Sequence, residues 1–189
     1  MKRKVIAITG KIGSGKSSIA HILNGLGFKT VDCDELAKQV ANQPDVVKQV
    51  EQLLGSKCVS RGKLNRKVIR DIVFEDENML KEYERIFFDG VRMLLTDTLA
   101  RLPDEKVVFV EIPVLDAFTF TWDEIWRVES DQQTNVRRVA IRDNVSEDNV
   151  YAILNSQKPY DCDYVIYNNG DLNELAQAVV HALTQRQLL

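Results

Sequence analysis

Gly10, Gly15, Lys16 and Ser17 fall at the spacing G-x-x-x-x-G-K-[ST] in the stretch AITGKIGSGKSS, residues 7–18, with Gly13 inside the loop. This arrangement suits the holding of phosphate. Glycines let successive backbone N–H groups curl around the oxygens. The lysine reaches the β and γ oxygens, and the serine hydroxyl sits on Mg²⁺ at the positive end of a new helix. The motif needs a strand before it and a helix after it. KVIAITG supplies an apolar, β-branched run closed by glycine, and Ile19, Ala20, Ile22, Leu23 and Leu26 then recur at helical spacing. Nucleoside triphosphate is therefore the expected ligand. Neither D-x-x-G nor N-K-x-D occurs, which argues against a GTPase switch, and 189 residues are few for a motor or a large ATPase. A kinase for a small molecule fits better.

Transfer to a hydroxyl needs a carboxylate within hydrogen-bond reach of the acceptor. Asp32 and Asp34, in VDCDE, lie at the end of a short second strand, FKTVD. In an extended segment residues two apart share a side, so one acid is free to face an acceptor while the other caps the following helix. Glu111 ends the apolar run KVVFVE, the place of a metal-side acid in phosphate-loop enzymes and also of an ordinary strand-end charge. Arg138 and Arg142 are four apart on a predicted helix and suit the neutralising of a transferred phosphoryl group. The plain alternative is a solvated face with an ion pair to Asp143 or Asp148. Arg66 and Arg70 repeat that spacing beside Val68, Ile69 and Ile72, either against phosphates of an anionic acceptor or as the wet side of an amphipathic helix. His21 and His181 read as structural. Phe118, Phe120, Trp122 and Trp126 read as core or lid packing.

Strands alternate with helices along the whole chain, which predicts a doubly wound α/β domain with a mainly parallel, five-stranded sheet. KVVFVEIP is the clearest central strand; EIWRVES and DYVIYNN follow, with helices near 133–142, 146–157 and 172–183. The mostly helical stretch 45–102 reads as an insertion within a single domain spanning 1–189, with Gly90 a weak point in its long helix. GSKCVSRGKLNR reads as a loop, with Asn65 or a neighbour capping the helix after it. Formal net charge is −3, which disfavours a nucleic-acid binder. Cys33, Cys58 and Cys162 are odd in number, widely spaced and without C-x-x-C, so reduced structural thiols are expected. No run is long enough to span a bilayer, and a cytoplasmic protein, monomeric or a small homo-oligomer, is the expectation.

Six segments in order resemble the dephospho-coenzyme A kinase family: ITGKIGSGKSSIA, GFKTVDCDELAKQV, GKLNRKVIRDIVF, VEIPVL, VRRVAIRDNVSEDNVYAILNSQ and DYVIYNNGDLNEL. The likeness runs from Val5 to about Leu183. It implies ATP and Mg²⁺ as cofactors and phosphorylation of the ribose 3′-hydroxyl of dephospho-coenzyme A, the last step of coenzyme A synthesis. Carried over, Gly13, Ser14, Gly15, Lys16, Ser17 and Ser18 hold the ATP phosphates. Asp34 is the base on the hydroxyl, and Arg142, with Arg138 near it, is a lid arginine. Residues 45–102 bind the acceptor and 133–162 form a lid. The chain departs from the family in three places. It reads IFFDG where His-Pro is usual, PVLDA after the third strand, and only KPYDC between NSQ and the last strand, a return that lacks lid basic residues. The alternatives are a nucleoside or nucleotide kinase with another acceptor, or a non-catalytic nucleotide-binding regulator.

Overall fold

Residues 5–9 are all buried, so the strand they form needs a neighbour on each side and cover on both faces. In the computed structural model, which describes residues 3–73 and 76–189, that strand, β1 (Lys4–Thr9), lies mid-sheet. Parallel to it on either side run β5 (Val107–Glu111) and β6 (Glu124–Glu129). β2 (Lys29–Asp32) pairs with β5, and β7 (Tyr164–Tyr167) with β6, so the order is β2-β5-β1-β6-β7, all parallel. The order turns about β1, which gathers the carboxyl ends of β1, β5 and β6 where open α/β sheets bind ligands.

Two compact units make up the chain. The first holds the sheet, from the N-terminal residues to Asp32, with Pro103–Leu115 and Thr121–Leu189. One sheet face presents Ile6, Ile8, Phe109, Trp126, Val128 and Ile166. Against them pack Ile19 and Leu23 of α1 (Lys16–Gly25) and Leu175, Val179, Ala182 and Leu183 of α8 (Leu172–Gln185). Trp126 is fully buried, edge-on to Phe109 at 5.2 Å between centroids, so it is core. α8 opens on a capping box between Asp171 and Glu174. A smaller cluster joins α6 (Gln132–Asp143) to α7 (Glu147–Ser156) through Val136, Val139, Val150 and Leu154, with Ile12 packed on it.

The second unit, Cys33–Leu102 with Asp116–Phe120, is helical. It contains α2 (Cys33–Val40), α3 (Pro44–Leu54), α4 (Arg66–Val73) and α5 (Glu77–Ala100). It begins upstream of residue 45 because α2 packs on α5: a Cβ at Gly90 would lie 2.6 Å from Val40 Cγ1. Gly90 is thus a close-packing position in an unbroken helix. The segment read as a loop contains a hairpin, β3 (Val59–Ser60) with β4 (Lys63–Leu64), turned through Arg61 and Gly62 at φ 52° and 72°. Positive φ at both turn residues is the type I′ geometry that matches strand twist. Asn65 does cap α4, its Oδ1 accepting from Val68 N at 3.4 Å. Cys33 and Cys58 are buried and all three cysteines are free thiols. Among the described residues, no helix is long and apolar enough to cross a membrane.

Candidate active site

β1 ends at Thr9, and the chain then makes a loop whose glycines are required twice over. At Gly13, φ is +79° and a Cβ would stand 2.7 Å from the Asn135 carbonyl oxygen; at Gly15, φ is +99° and a Cβ would stand 2.1 Å from Asn168 Nδ2. Side chains are excluded there by both backbone strain and space. Gly15 is the N-cap of α1 and, having no side chain, cannot cap it; no acid lies in the first turn. The leading amides and the positive helix end are therefore left for an anion. Lys16 lies across the loop, Nζ donating to Gly10 O at 2.8 Å and to Lys11 O at 3.3 Å. Ser14 is buried, Ser18 half-buried and Ser17 exposed.

Residues from the other end of the first unit hold this loop in shape. Asn168, just past β7 and 5% exposed, donates from Nδ2 to Ser14 O at 2.7 Å. Its own N–H donates to Glu129 O at 2.7 Å. Arg138 donates to Asn168 O at 3.0 Å and to Asn168 Oδ1 at 3.4 Å. From the end of α7, Gln157 Oε1 accepts from Ile12 N at 2.9 Å, and Lys11 Nζ donates to Leu154 O at 3.3 Å. Sequence reasoning missed Asn168 and Gln157 as loop partners. The available signal was an amide at the carboxyl edge of the last strand, where a ligand-side loop must be braced.

Arg138 and Arg142 separate in environment despite their spacing. Arg138 is half-buried on the Asn168 amide, whereas the Arg142 side chain is 60% exposed. Arg142 forms a two-pronged pair with Asp143, Nε to Oδ1 and Nη2 to Oδ2, each at 2.7 Å. The hydrogen bond between them pushes the arginine pKa up and the Asp143 carboxyl down. So exposed a pair contributes little stability, and its arginine is readily exchanged to another anion.

Glu111 and Asp32 are register partners at the carboxyl ends of β5 and β2, and Glu111 also faces Ile8 of β1. Asp34 is the second residue of α2, which starts directly after β2. The two aspartates therefore do not share one extended segment, and strand alternation does not relate them. Among the described residues no cluster of three or more acids, histidines or cysteines could enclose a metal, and His21 and His181 are exposed. The oxygen donors Ser17 and Glu111 nonetheless suit Mg²⁺, which is bound through one or two protein oxygens together with substrate phosphates.

In the second unit Asp34 lines a groove of about 570 Å³ with Lys38, Arg66, Arg70, Tyr83 and Phe87. The rings of Tyr83 and Phe87 stand 4.9 Å apart, one turn of α5 from each other. Burial pushes the Tyr83 hydroxyl up, against the opposing charge of Arg66. A carboxylate, two guanidinium groups and two neighbouring rings, tilted at 52° to each other, suit an acceptor with both an aromatic base and negative charge.

Residues 4–174 match the family model for dephospho-CoA kinase. The chain belongs to the dephospho-CoA kinase family. A dephospho-CoA kinase of Thermus thermophilus is 33% identical over 96% of this chain and 91% of its own. One from Leptospira interrogans is 32% identical over 93% and 89%. A crystal structure of a Thermus thermophilus protein superposes with a TM-score of 0.84 at 31% identity, covering 98% of both chains. The resemblance carried by the six sequence segments is borne out for family and for fold.

Proposed function

We propose that this dephospho-CoA kinase family member transfers the terminal phosphoryl group of ATP to the ribose 3′-hydroxyl of dephospho-coenzyme A, giving coenzyme A. The observation that carries the reading is the phosphate loop with Lys16 drawn across it and its shape braced from Asn168, in a chain matched to this family over residues 4–174. The loop amides of Gly13, Ser14, Gly15, Lys16, Ser17 and Ser18 hold the donor phosphates. The Lys16 amine exchanges the carbonyls of Gly10 and Lys11 for β and γ oxygens. Mg²⁺, held by Ser17 and Glu111, would neutralise charge on those oxygens. Arg142 leaves Asp143 for the transferring group, and Arg138 stays near the donor through Asn168. Asp34 accepts the hydroxyl proton, with the acceptor base against Tyr83 and Phe87 and its charge near Arg66 and Arg70. Residues 133–162 act as the lid that excludes water. The reading includes a cytoplasmic monomer or small homo-oligomer with no nucleic-acid partner.

Transfer of label from γ-labelled ATP to a panel of acceptors tests this. Dephospho-coenzyme A should be labelled well above any nucleoside, and robust labelling of a nucleoside with none of dephospho-coenzyme A would replace the reading. Asp34→Asn should bind ATP as the wild type does and lose roughly a hundredfold or more of turnover, the range for removing a positioned base. Undiminished turnover would remove Asp34 from the role.

A further inference from the structure

A cavity of about 290 Å³ adjoins the phosphate loop at Gly10, Lys11 and Ser14, inside the first unit. Its charged lining is Lys11, Arg127 and Lys158 against a single carboxylate, Glu129. The short return after α7 brings Tyr160 to its rim, where the carbonyl accepts from Arg127 Nη1. Arg127 Nη2 pairs with Glu129 at 2.7 Å. Of the three buried side-chain polar atoms that lack a hydrogen-bond partner among the described residues, two belong to this lining, Arg127 Nε and Ser14 Oγ; the third is Thr9 Oγ1. A guanidinium N–H buried unpaired costs more than a hydrogen bond returns, so it marks a place where an acceptor belongs.

The ligand class follows from the charge and the neighbours. The lining holds three cations and one acid, and that acid is already engaged by Arg127. The Lys16 amine sits on the carbonyls of Gly10 and Lys11, two of the three loop residues in the cavity wall. We infer that this cavity is a phosphate-oxygen site beside the loop, with Arg127 and Lys158 as its cations and Ser14 Oγ as a further donor. Its anion is the terminal phosphate of the donor or, in place of the groove at Arg66 and Arg70, the diphosphate of the acceptor. The inference deepens the kinase reading and rests on it only for which substrates supply that anion. It also gives a role to Lys158, the one basic residue on the short return after α7.

Calorimetric titration with ATP, with inorganic tripolyphosphate and with dephospho-coenzyme A, each alone, decides the matter. Arg127→Ala should weaken binding roughly tenfold, as for loss of a charge-assisted contact, and the exposed Lys158→Ala about threefold. Glu129→Gln should tighten binding, a change that a purely structural ion pair would not produce. Weakening confined to ATP and tripolyphosphate assigns the donor phosphate; weakening confined to dephospho-coenzyme A assigns the acceptor diphosphate. Should Arg127→Ala fail to fold, Lys158→Ala and Glu129→Gln decide alone. Wild-type affinities for all three ligands in the folded variants would reduce Arg127 to a strut for Tyr160 and overturn the inference. Absence of label transfer to dephospho-coenzyme A by the wild type would count against the kinase reading and leave the ATP arm intact.

Discussion

Replacing Asn168 by alanine separates a loop that is shaped by its own sequence from one shaped by distant residues. The substitution deletes the bond from Nδ2 to Ser14 O at 2.7 Å and the weaker contact of Oδ1 with Arg138 at 3.4 Å. The backbone bonds, Asn168 N to Glu129 O and Arg138 to Asn168 O, survive. With the side chain buried, the Ser14 carbonyl loses its partner with no ready route to solvent, at a cost of about 1–3 kcal/mol. Loss of the longer contact adds at the lower end, so about 2–3 kcal/mol is expected in total. For a chain of this size that lowers the unfolding midpoint by roughly 5–10 °C. The loop is freed at Ser14, so the fraction in binding geometry falls and ATP affinity drops about tenfold. Asn168→Asp should be worse, since an ionised carboxylate only accepts and would face the Ser14 carbonyl. Scanning calorimetry and ATP titration read both effects. An Asn168→Ala protein with wild-type midpoint and wild-type ATP affinity would refute the view that the loop is braced from the last strand.

Two further outcomes concern stability. Burial alone would push the Glu124 carboxyl up, but hydrogen bonds from Arg186 at 2.9 Å and Trp126 Nε1 at 3.0 Å, with the charges of Arg186 and Lys4, outweigh it and hold the pKa down. The stabilisation is then full above the ordinary glutamate range and is lost as pH falls through the depressed folded value. Glu124→Gln should be less stable at neutral pH, and in urea unfolding the gap should close below about pH 4; a gap independent of pH would contradict this. Gly90→Ala gains about 1 kcal/mol of helix propensity. It also drives a methyl to 2.6 Å from the stiff, fully buried Val40, and overpacking of that kind costs about 1–3 kcal/mol. A lowered midpoint by circular dichroism is expected, and a raised one would show that α2 yields.

The donor half of the site was legible because it is local. The glycines, Lys16 and Ser17 sit in one short run between a strand and a helix, and no distant residue is needed to recognise them. The parallel sheet was legible for a similar reason, since the strand centres VIAI and VVFV are apolar throughout. What escaped reading depends on long separations. Asn168 meets Ser14 across most of the chain, and no periodicity marks an amide that will reach a carbonyl. Gly90 looked like a helix defect because Val40, which fills the space beside it, belongs to another helix. The helix after the second strand was expected from Asp34 and starts one residue earlier, at Cys33, so the strand alternation invoked for Asp32 and Asp34 does not apply. Arg138 and Arg142 share a spacing, and only packing distinguishes the arginine on Asn168 from the one paired with Asp143.

The order β2-β5-β1-β6-β7 carries a consequence for the chain as it leaves the ribosome. β1 emerges first, yet both of its neighbours belong to the second half of the polypeptide, and the amide that fixes Ser14 comes from residue 168. Until those segments are synthesised, the first strand has no sheet to join and the glycine loop has no fixed shape. Non-local pairing of this sort is intrinsically slow to form. A nascent chain halted before β7 would carry every residue of the nucleotide motif and hold no nucleotide, so capacity to bind ATP should appear late in translation and all at once.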